Sequence, residues 1–89
     1  MTQNEANERQ IGHISHFFSH INVGIIELTD KLQIGDKVHI KGHTTDFTET
    51  VNSMEVDHRK VERSPAGTEV AIKVIGRTRR HDKVFKVTP

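Results

Sequence analysis

Leu32-Gln33-Ile34-Gly35-Asp36-Lys37-Val38-His39-Ile40-Lys41-Gly42 decides the fold. Gly35-Asp36 is a turn signal, and it launches a run in which Val38 and Ile40 alternate with Lys37, His39 and Lys41. A period of two puts the first pair inside and the other three outside, as a half-buried strand requires. Gly42 ends the run. Upstream, Ile11 to Phe18 and Val23 to Thr29 read as strands, with Gly24 marking a bulge or tight bend. Downstream, Gly42 to Thr48 is a polar loop carrying one aromatic, Phe47. The next strand, Thr48 to Asp57, breaks parity, because Val51 cannot share a face with Met54 and Val56 unless a bulge lies near Asn52-Ser53. Ser64-Pro65-Ala66-Gly67 fits a turn with Pro second and Gly fourth, feeding a strand from Glu69 to Ile75. Gly76 to Asp82 is a basic loop, and Lys83 to Val87 a last strand.

No segment carries a helical stripe of apolar residues. Six strands at short, regular spacing predict an all-β chain, built as a small closed six- to seven-stranded antiparallel β-barrel, because closure removes exposed edges. Residues 1–10 are expected to form a polar tail, and residues 11–89 a single barrel domain.

The chain has 89 residues, 33% of them hydrophobic, and no cysteine. It therefore offers neither a disulfide nor a thiolate nucleophile. Thirteen Lys and Arg against twelve Asp and Glu leave +1, far from the basicity that by itself announces nucleic acid. No run approaches the ~20 apolar residues of a membrane span, so a cytoplasmic protein without membrane contact is expected. His13, His16 and His20 invite a metal reading. Strict alternation sets His13 and His16 on opposite faces, and no carboxylate lies between them, so no metal site is expected. Ser15, Ser19, Ser53 and Ser64 lie in no nucleophile-elbow pattern, and His43 with Asp46 is more simply read as turn chemistry. The chain is read as no enzyme, with neither a cofactor nor a small-molecule substrate.

Three ordered blocks resemble a known family: Leu32-x-Ile34-Gly35-Asp36-x-Val38-x-Ile40-x-Gly42, Thr50-Val51-x-Ser53-Met54-Glu55-Val56, and Val61-Glu62 through Ala66-Gly67-x-Glu69-Val70-Ala71-Ile72. They look like the β-barrel second domain of translational GTPases such as elongation factor Tu, over roughly residues 11 to 88. The resemblance implies a barrel that contacts tRNA, ribosome or partner domains. There is no Gly-x-x-x-x-Gly-Lys-Ser/Thr phosphate loop, so GTP hydrolysis is not expected. Similar barrels are also appended to collagenase-like peptidases linked to RNA modification.

Two sets of residues are candidates for contact. Arg59, Lys60, Arg63, Lys73, Arg77, Arg79, Arg80 and Lys83 would suit phosphates if the fold gathered them, since Arg presents a planar fork of donors and Lys a point charge. Phe18 and the loop His43, Thr44, Thr45, Asp46 and Phe47 would suit a protein partner. The main expectation is a non-enzymatic, translation-factor-like module binding tRNA or ribosome through its basic loops. The alternative is a protein-interaction module serving a GTPase or an RNA-modifying or peptidase-like enzyme.

Overall fold

A computed structural model describes residues 7–88. Its elements are β1 (Glu8–Phe18), β2 (Val23–Leu28), β3 (Leu32–Gln33), β4 (Lys37–Lys41), β5 (Asp46–Thr50), β6 (Met54–Val56), β7 (Arg59–Lys60), β8 (Arg63–Ser64), β9 (Glu69–Lys73) and β10 (Lys83–Val87). The chain is all-β. Eight strands form one antiparallel sheet in the order β5-β4-β10-β1-β2-β9-β6-β7, and β3 pairs with β8 in a separate ribbon.

The inward residues of nearly every strand meet in one cluster: Ile11 and Ile14, Ile26 and Leu28, Val38 and Ile40, Met54, Val70 and Ile72, and Val84. A flat sheet cannot bring one face of so many strands into one core, so the sheet curls around it. It does not close. No ladder joins β5 to β6 or β7, which corrects the expected closed barrel. The physical reason lies at Val51 to Ser53. Thr48 to Asp57 is not one bulged strand but two: β5 pairs with β4, whereas β6 pairs with β9 near the far edge of the sheet. Val51 and Met54 are buried while Asn52 and Ser53 stay exposed as the chain crosses over. β6 then ladders with β9 and β7, and β5 only with β4. Side chains of β5 reach the loop after β9 instead, as Glu49 accepts the Ile75 N–H at 2.8 Å and the Phe47 ring lies against Gly76. Burial raises the Glu49 carboxyl above its ordinary value, and the Ile75 N–H partly opposes this.

Glu8, Arg9 and Gln10, expected in the tail, pair with Val87, Lys86 and Phe85 and so belong to β1, and the Asn7 carbonyl accepts the Thr88 N–H; residues 1–6 of that tail lie outside the described residues. β1 carries two bulges, between Gln10 and Gly12 and between Ile14 and His16. The second leaves the Ser15 carbonyl free to accept the Arg80 Nε–H at 3.1 Å. Ile14 N–H donates to Asp82 and its carbonyl accepts from His81, both at 2.7 Å, so the loop before β10 is stitched to β1 at the bulge. Asp82 is buried, takes the Arg79 N–H at 2.8 Å and presses on Gly42, where a Cβ would overlap its carboxylate.

Candidate interaction surface

The outer face of β1, β2, β9 and β6 forms a shallow groove of about 630 Å³. The register explains its lining: His16 opposes Ile25, Ile25 opposes Ala71, Ala71 opposes Glu55, and Glu27 opposes Glu69 one pair along. Glu27, Glu55, Asp57 and Glu69 thus face the groove against one guanidinium, that of Arg80. Ser15 Oγ donates to Glu69 at 3.2 Å. Phe18 is 43% exposed at its margin with its ring centroid 4.6 Å from that of His16, while Phe17 packs on the core.

The basic candidates do not converge. Arg59 and Lys60 sit on β7 and Arg63 on β8. Lys73 ends β9, Arg77, Arg79 and Arg80 occupy the following loop, and Lys83 lies with Lys41 and His43 beside Phe85. In the order of the sheet, β7 lies four strands from β1, against which Arg80 bonds, and the carboxylates of the acidic groove lie on the strands between them. A single cationic track for a phosphate backbone is therefore missing. A second groove, of about 580 Å³, gathers only Arg77, Arg79 and Arg80, with His16, Phe17, Ser19 and Thr78.

The expected partner loop is divided as well. Thr45 is buried and its carbonyl accepts the Gly42 N–H at 2.8 Å, and Phe47 is half-buried. Only His43, Thr44 and Asp46 face solvent there. Asp46 is engaged: its carboxylate meets His39 Nε2 at 2.5 Å, while Glu8 meets Nδ1 at 2.9 Å. His39 thus clasps β1 and β5 across β10. The hydrogen bond to Asp46, helped by Glu8, holds the His39 imidazole above its ordinary value against its partial burial. The same bond holds the Asp46 carboxyl below its usual range.

A raised folded imidazole stabilises fully below its unfolded value of about 6.5, and the gain is lost as pH rises through the folded value. A depressed carboxyl stabilises above its unfolded value of about 3.8 and fails as pH falls through the folded one. The clasp is therefore strongest between these limits. Denaturant unfolding should show higher stability at pH 6 than at pH 8.5, with the difference shrinking in His39→Ala. An unchanged difference in that variant would assign the pH dependence elsewhere.

The alternation argument against His13 and His16 fails, since the second bulge turns both to the outer face, opposite Glu27 and Ile25. Among the described residues no group of three or more His, Cys, Asp or Glu is arranged to hold a metal ion. No helix among them is long and apolar enough to cross a membrane.

With this geometry fixed, the chain can be placed among known proteins. No family model matches it. An uncharacterized protease of Methanocaldococcus jannaschii is 36% identical over 77 residues, which are 85% of this chain. The chain spans 19% of that protease's length. Among solved structures, the C-terminal domain of a Geobacillus thermoleovorans protein assigned to the U32 peptidases superposes with a TM-score of 0.84, over 99% of this chain and all of that one, at 12% identity. Its selenomethionine form gives 0.81, over 85% and 96%, at 13%. These likenesses overturn the resemblance to elongation factors and, with it, the reading as a translation-factor module on tRNA or the ribosome. Turn glycines and alternating Val and Ile describe a small curled sheet in either setting, and so could not separate the two families. A protein partner is compatible with such a domain, and RNA binding finds no support.

Proposed function

We propose that this chain is a non-catalytic accessory domain that docks on the catalytic unit of a U32-type peptidase, whether that unit lies on the same polypeptide or another. One observation carries the reading: 85% of the chain aligns with a stretch that is a minor part of a larger protease. The fold it shares is known as a C-terminal domain beside other sequence. The chemistry of the surface agrees with a binding role, since its grooves are open and shallow and the best-formed constellation, Glu8-His39-Asp46, ties strands together. The purified chain should cleave no peptide or denatured collagen by itself, and should bind and modulate a U32 catalytic unit when added to it. Peptide turnover by the chain alone would contradict the proposal.

A further inference from the structure

We infer that the end of the domain formed by the β1–β2 turn and the loop after β9 is its docking surface, and that it takes a protein partner presenting carboxylates around an apolar seat. This deepens the accessory-domain reading and rests on it. Ile75 is 76% exposed and Ile21 56%, more than any other large apolar side chain described. They lie just beyond the last paired residues of β2 and β9, at the same end of that ladder. Val23 pairs with Lys73, and the Val74 N–H donates to the Asn22 carbonyl at 2.9 Å, one residue short of both isoleucines.

Neither residue is loosely held. Ile75 N–H is fastened to Glu49, Ile21 N–H to the Phe18 carbonyl at 3.3 Å, and Asn22 turns the chain at φ 54. A pair of aliphatic side chains fixed by backbone bonds and left in water is preorganised for burial against a partner, with little ordering cost.

Charge selects the partner. Arg77 and Arg79 line the adjoining groove and make no ion pair among the described residues. Arg80 is already committed to the Ser15 carbonyl. An apolar centre with a cationic rim complements an apolar seat rimmed by Asp and Glu. A nucleic acid fits less well: the acidic groove shares His16 and Arg80 with the cationic one, so it repels a backbone leaving that groove.

The test is calorimetric titration of the chain into a U32-type peptidase lacking its own C-terminal domain, its folding checked by circular dichroism. Ile21→Ser and Ile75→Ser should each weaken binding about tenfold, and the pair about a hundredfold. Arg77→Glu with Arg79→Glu should weaken it further at low salt than at high. Because all four positions are exposed, unfolding midpoints should stay unchanged. Binding that ignores these substitutions would overturn this surface while leaving the accessory role intact. Absence of any binding would overturn both. Salt-sensitive binding of tRNA that survives Ile21→Ser/Ile75→Ser, or concentration-dependent dimers abolished by it, would give the surface to a nucleic acid or a second copy and overturn the inference.

Discussion

Gly12→Ala should remove about 2–4 kcal/mol of folding stability, a large part of the roughly 4–13 kcal/mol expected for a domain of this size. Gly12 sits in the middle of the sheet, opposite Val84 on one side and Leu28 on the other. A Cβ there would overlap the Glu27 carbonyl oxygen and touch Ile26 Cγ2 at 3.0 Å. The obstacle is the backbone of a paired strand, which cannot rotate away as a side-chain tip would. Relief requires moving β1 from β2, and β1 is pinned on its other edge by β10. The informative control is Gly35→Ala. Gly35 has φ +97 and open space around it, so only the left-handed conformation is penalised, at about 1 kcal/mol. Guanidinium midpoints of both variants check the contrast, and equal losses would mean that steric exclusion is not what Gly12 supplies.

Asp36→Ala should cost about 2–3 kcal/mol, because it strands a largely buried cation and opens a turn together. The Asp36 carboxylate lies 3.1 Å from Lys86 Nζ, with the two side chains only 17% and 12% exposed. It also accepts the Gln33 N–H at 3.0 Å, which closes the turn into β4, and the Asp36 carbonyl accepts the Val51 N–H at 2.8 Å where the chain leaves β5. One residue therefore joins the β3–β4 turn, the crossover at Val51 and β10. Replacing both partners, as in Asp36→Asn with Lys86→Met, should recover part of the loss, since a buried charge left alone is worse than none. If Asp36→Ala melts within 0.5 kcal/mol of the unchanged protein, the ion pair is a surface ornament and the turn holds without it.

The position of most strands is legible in the sequence because burial on one face writes itself as alternation. Lys37–Lys41 and Lys83–Val87 are found at the expected bounds, and the strand expected over Glu69 to Ile75 ends at Lys73. The turn at Gly35-Asp36 is equally visible, but its tie to Lys86 depends on β4 pairing with β10, which no local pattern reveals. The bulges in β1 escape detection for the same reason. The first has the Ile11 carbonyl accepting from Thr29 and Asp30, and the second, held by Arg80, His81 and Asp82 from the other end of the chain, reverses the face assigned to His16.

Strand order also sets where the charged side chains lie. The eight cationic candidates fall in two groups along the chain, and β2, β9 and β6 lie between Arg80, bonded at β1, and Arg59 and Lys60 on β7, with carboxylates on those strands. The sequence carries one signal for a contact surface: after Val70, Ile72 and Val74 point inward, Ile75 falls on the outward parity. An isoleucine on the solvent side at a strand end is a place to look for a partner.

Amide hydrogen exchange of this chain, with and without a U32-type catalytic unit, tests the accessory role most directly. The expected result is new protection concentrated at residues 19–22 and 75–80, with the core amides of β1, β2 and β10 unchanged. Uniform exchange in both conditions, at concentrations where the catalytic unit is saturating in excess, would contradict it.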